Sequence, residues 1–82
     1  MIEMRKWSVS SYVDAATLAK ELEQLLLAVY EVSPWTAGQV EEVLRSDVNS
    51  CMLAGDGSQL VGFLVWQETD FEVEVLQIAV LP

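Results

Sequence analysis

The chain has 82 residues, of which 52% are hydrophobic and 21% charged, with thirteen acidic residues against four basic ones for a net charge of −9. That length allows one small domain burying only about 60 to 65% of its unfolded surface. The composition is too apolar for a disordered chain, and it lacks the run of about 18 apolar residues that a membrane span needs. The negative field repels nucleic acid and anionic membranes and favours basic partners, so neither a nucleic-acid nor a membrane partner is expected.

The opening "IEMRKWSV" mixes Met4, Trp7 and Val9 with charges and is bounded by two serines, which predicts a short edge strand. It has no apolar h-region behind its basic residues and does not read as a secretory signal. From Tyr12 the pattern changes. Leu18, Leu22, Leu25, Leu26 and Val29 recur at three- and four-residue spacing, with Lys20, Glu21, Glu23 and Gln24 largely off that stripe. This is an amphipathic helix over Asp14–Tyr30, ended by "EVSPW", where proline cannot continue the ladder. Thr36 followed three residues later by Gln39 forms a capping box, with Trp35 and Val40 in the hydrophobic-staple positions. A second, short helix is predicted to run to about Arg45 or Ser46.

After "SDVNS" the period falls to two, and three strands are expected at Cys51–Ala54, Gln59–Gln67 and Phe71–Leu81. A Gly-Asp-Gly-Ser turn joins the first two, and a tight turn near Thr69 and Asp70 joins the last two. Glu72 to Val75 alternate cleanly, and then "LQIAVL" does not. A strand loses alternation when both its faces are buried, so the far end of this one is expected to lie deep. The predicted order is strand, two helices, then a three-stranded antiparallel meander, an α+β arrangement with both helices on one face of the sheet.

One cysteine, Cys51, excludes an internal disulfide, and without histidine the usual cysteine–histidine metal sites and catalytic dyads are absent. Cys51 reads as a small buried hydrophobe in a reducing, cytoplasmic protein, and no metal site is expected. The carboxylates Glu68, Asp70, Glu72 and Glu74 do not match the EF-hand spacing and read mainly as solvated surface.

That element order, with "SPWT" between the helices and "GFLVWQETDFEVEVLQIAVLP" at the end, resembles the N-terminal half of the GNAT superfamily of N-acetyltransferases. Its nearest look is the branch that acetylates the N-terminal alanine of ribosomal proteins, and the resemblance covers essentially all 82 residues. It implies acetyl transfer from acetyl-CoA to an amine such as a protein N-terminus. In that family the next segment is an Arg/Gln-x-x-Gly-x-Gly/Ala loop and a helix that hold the cofactor pyrophosphate. Gly55 and Gly57 instead belong to a hairpin turn. The resemblance therefore implies one partial domain carrying the substrate-side half, not expected to bind acetyl-CoA or act as an enzyme alone.

The reaction needs a base for the ammonium proton and donors for the thioester carbonyl oxygen. By resemblance, Glu74 matches the fourth-strand glutamate that some members use as base. The backbone of Gln77, Ile78, Ala79 and Val80 would face the pantetheine arm and acetyl group, and Tyr30, Pro34, Trp35 and Trp66 would line the substrate groove. Each also has a plain structural reading: a solvated strand face for Glu74, strand pairing for residues 77 to 80, a staple for Trp35, core packing for Trp66. An apolar last strand left as an edge also invites self-association, so a homo-oligomer joined through "EVLQIAVL" is expected, and a non-catalytic interaction module is the alternative function.

Overall fold

The structure, a computed structural model, describes residues 1–8 and 14–82. Val9 and Tyr12, which the sequence reading places at the end of the first strand and the start of the helical pattern, lie outside the described residues. The elements are β1 (Ile2–Trp7), α1 (Ala15–Tyr30), α2 (Ala37–Arg45), β2 (Asn49–Asp56), β3 (Gln59–Glu68) and β4 (Val73–Val80). The four strands form one antiparallel sheet in sequence order, so β1 and β4 are its edges. This is the α+β order that the sequence predicts, with the first strand joined to the meander beside β2.

Local chemistry accounts for the helices. The Asp14 carboxylate accepts from the Thr17 N–H at 2.7 Å and starts α1. The stripe Leu18, Leu22, Leu25 and Leu26 is buried, while Lys20, Glu21 and Gln24 face solvent. The helix stops when Glu31 takes a positive φ of 67°, its N–H reaching back to the Leu27 carbonyl at 3.0 Å. Both bonds of the capping box at Thr36 and Gln39 are formed, at 3.2 and 2.8 Å. Helix α1 packs over β3 and β4, and α2 over β2. Between helices and sheet lies one core that includes Leu18, Leu22, Leu26, Val40, Phe63 and Val65.

Five strand boundaries depart from the sequence reading, among them the end of β3, which runs one residue further to Glu68. Strand β2 extends from Asn49 to Asp56 because pairing with β1 and β3 runs beyond its apolar stretch. Strand β4 begins at Val73, two residues later than expected, because the Thr69 hydroxyl accepts the N–H groups of Phe71 and Glu72 and holds them in the turn. Phe71 is 97% exposed there. The strand ends at Val80, although the Leu81 N–H adds one further bond to the Val61 carbonyl at 2.8 Å.

The lost alternation in "LQIAVL" also has a different cause from the expected one. The β3–β4 register passes from Val65↔Gln77 to Trp66↔Val75, which leaves Leu76 as the extra residue of a β-bulge. The bulge shifts the side-chain phase by one, so Val73 and Val75 before it and Ile78 and Val80 after it share the face away from the helices. All four are exposed, so this strand is not buried on both faces among the described residues.

Candidate functional site

The expected site residues gather at the β4 edge only in part. Antiparallel pairing turns successive residues alternately toward and away from the neighbouring strand. The Leu81 N–H points at β3, which puts Gln77 and Ala79 in the same phase and aims the peptide groups of Ile78 and Val80 outward. The edge at Ile78 is not bare. Its carbonyl accepts the Tyr30 hydroxyl at 2.8 Å, and its N–H donates to the side-chain oxygen of Gln77 at 3.2 Å. Of the four residues expected to form a cradle, two face β3, one is capped from within the chain, and Val80 presents an outward peptide.

Tyr30, the last residue of α1, is thus joined to the strand that the sequence reading assigns to the acyl donor. Trp35 is half-buried against the core, which fits its staple position, and its carbonyl accepts the Ser33 hydroxyl across the exposed Pro34. Trp66 lies elsewhere. It pairs with Ser50 and Val75 on the sheet face opposite the helices, with its indole N–H donating to Glu68 at 2.6 Å. Trp35 and Trp66 therefore sit on different sides of the sheet and do not line one groove. Glu74 is exposed and stands opposite Gln67, in register with the helix-side face.

Glu23 is a residue that its place on the polar side of α1 concealed. Its carboxylate accepts the Ala37 N–H at 2.9 Å, tying the middle of α1 to the first turn of α2 and fixing the "VSPW" connection between them. The only sequence signal was an acidic residue available to a helix N-terminus, where carboxylates are favoured. Cys51 is buried, and desolvation pushes its thiol up to about 12, so it is not a nucleophile at neutral pH.

Acetyl-CoA fits these residues at one end only. An outward strand peptide such as Val80 can meet a carbonyl or amide of an acyl arm. The pyrophosphate finds no seat among the described residues, because both helix N-termini already hold carboxylates, Asp14 at α1 and Glu23 at α2. The hairpin turn at Gly57, with φ 64°, leads into β3 and not into a helix. Two clefts of about 290 and 360 Å³ lie by Lys6, Arg45 and Asn49 and by Glu21, Ala28 and Leu81, and neither is lined by Tyr30, Trp35 or Glu74. No helix among the described residues is long and apolar enough to cross a membrane.

No family model matches the chain, and no curated protein matches it. Among solved structures it is similar to a ribosomal-protein-alanine N-acetyltransferase from Brucella melitensis biovar Abortus 2308, at a TM-score of 0.69 and 16% identity. The similarity covers 99% of this chain and 57% of that one. Over nearly its whole length, the chain therefore shares the fold of part of that acetyltransferase, of which it spans little more than half.

Proposed function

We propose that this chain carries the substrate side of a GNAT-type N-acetyltransferase that moves an acetyl group from acetyl-CoA to an amine such as a protein N-terminus, and that its described residues do not by themselves seat the cofactor. The observation that carries this reading is the fold likeness across 99% of the chain, joined to a bulged last strand at the place where "LQIAVLP" stands. Glu74 would take the ammonium proton as general base. The outward Val80 peptide would hold the acyl arm, with Gln77, Ile78 and Ala79 setting its position. Tyr30, Pro34 and Trp35 would form one wall for the amine, and Trp66 would not share it.

The test is an acetyl-CoA titration followed by amide chemical shifts, on this chain and on a fusion of it to the C-terminal part of the similar Brucella acetyltransferase. The expected result is a flat titration for the chain alone and saturable shifts at Ile78 and Val80 in the fusion, with Glu74→Gln lowering acetyl transfer there. Flat titrations of both, with amide dispersion showing both folded, would overturn the reading.

A second reading is favoured by the exposure of Val73, Val75, Ile78 and Val80. In it the chain is an interaction module that self-associates through its last strand. The bulge at Leu76 and the capped Ile78 peptide interrupt a continuous strand-to-strand ladder, so these side chains, and not the backbone edge, would make the contact.

A further inference from the structure

We propose that the C-terminal end of α1 is a seat for a primary ammonium group, with the Tyr30 hydroxyl oxygen accepting one of its N–H bonds. The proposal rests on the reading of this chain as the substrate side of an amine acetyltransferase, and it names how the amine is held. Tyr30 is 47% exposed, and its hydroxyl proton is committed to the Ile78 carbonyl at 2.8 Å. The oxygen can then only accept. At the same place the Ile78 N–H donates to the Gln77 side-chain oxygen at 3.2 Å, so the donor of that residue is taken, while its carbonyl keeps a second lone pair. The group that meets this edge is therefore a hydrogen-bond donor.

Charge selects the kind of donor. The last turn of α1 holds no basic residue, and the residue that follows it is Glu31. A helix ends in a negative pole that favours cations, so an acid placed there adds like charge to it. Glu31 also has a φ of 67°, a conformation that glycine adopts at less cost. Both features work against the stability of the free chain, and local rules are broken in this way chiefly at functional positions. A bound cation offsets the first of them. The chain's own cations do not. Lys20 lies about 15 Å back along α1. Arg5 and Lys6 are on β1, three strand spacings or about 14 Å from β4. Arg45 is paired with Glu41 at 3.0 Å. The separations of the first three exceed the Debye length of about 8 Å at physiological salt, so their charge is largely screened from this end. A protonated amine supplies both N–H donors and positive charge, whereas an amide supplies the donor alone and a quaternary ammonium the charge alone.

The test is a titration of the 82-residue chain with L-alaninamide, N-acetyl-L-alaninamide and tetramethylammonium, followed by chemical shifts at about pH 6.5, where an α-amino group is protonated. We expect saturable shifts at Tyr30, Glu31 and Ile78 with alaninamide in the millimolar range, affinity at least about fivefold lower for tetramethylammonium, and no saturation with the acetylated form. Tyr30→Phe keeps the ring and removes the acceptor. It should weaken alaninamide at least about fivefold and leave tetramethylammonium unchanged, a difference that a merely structural role for Tyr30 would not produce. Glu31→Gln should weaken both cations. If Tyr30→Phe fails to fold, the preference of the wild-type chain for alaninamide over tetramethylammonium carries the test. Equal affinity for alaninamide and its acetylated form overturns the seat, and so do alaninamide binding that Tyr30→Phe leaves unchanged and the absence of saturation up to about 100 mM. Acetyl transfer fails separately: flat acetyl-CoA titrations beside saturable alaninamide shifts would remove the transferase reading and support the seat as an amine-binding site.

Discussion

The Tyr30 hydroxyl donates to the Ile78 carbonyl at 2.8 Å, linking the end of α1 to the exposed edge of β4 across forty-eight residues of sequence. The N–H of the same residue donates to the Gln77 side-chain oxygen, so both edge groups of Ile78, which would otherwise seek another strand, are closed from within the chain. Tyr30→Phe removes one neutral hydrogen bond at an exposed site and is expected to lower stability by about 0.5 to 1 kcal/mol, a few degrees in Tm for a domain of this size. Unchanged thermal unfolding would mean that the bond does not hold in solution.

The connection between the helices rests on Thr36, Gln39 and Glu23. Thr36→Ala should cost about 1 kcal/mol in denaturant unfolding, the ordinary loss for an N-cap. Because Glu23 serves the same helix end through the Ala37 N–H, Glu23→Ala and Thr36→Ala are expected to be non-additive in a double-mutant cycle. Strict additivity would show the two caps to be independent.

Two positive-φ residues predict opposite signs. At Gly57, φ is 64°, and Gly57→Ala should destabilise the β2–β3 hairpin by about 1 kcal/mol. At Glu31, φ is 67° on a residue with a side chain, and Glu31→Gly should stabilise by about 0.5 to 1 kcal/mol. Equal signs for the pair in chemical denaturation would refute the argument.

Asp14 sets an acid limb. The Thr17 N–H bonded to its carboxylate holds its pKa below the ordinary 3.8. Its folded pKa is thus depressed relative to the unfolded chain, so the stabilisation is present above about pH 4 and is lost as pH falls through the folded value. Asp14→Asn keeps a capping side chain but cannot titrate. The variant's stability should therefore fall less steeply than the wild type's below pH 4, and parallel curves would remove Asp14 from the acid response.

Burial of Cys51, with its thiol pushed up to about 12, predicts no alkylation by iodoacetamide at pH 8 in the folded protein and full alkylation in denaturant. Labelling of the native protein at the rate of a free thiol would show that the strand opens readily.

What the sequence determined by itself is local. The Leu18–Leu26 stripe, the Thr36–Gln39 box and the Gly57 turn each depend on residues within a turn or two of one another, and their chemistry admits little else. The α+β order follows from them together with the change to a period of two. The candidate site was legible only as a stretch, "LQIAVLP". Which of its peptide groups face outward depends on the register with β3, and the loss of alternation reads alike for a buried strand and for a bulge at Leu76. The separation of Trp35 from Trp66, the tie from Glu23 to Ala37 and the capping of Ile78 by Tyr30 are tertiary decisions as well. Each joins residues far apart in the chain or fixes their side of the sheet, and local periodicity carries no term for such a contact.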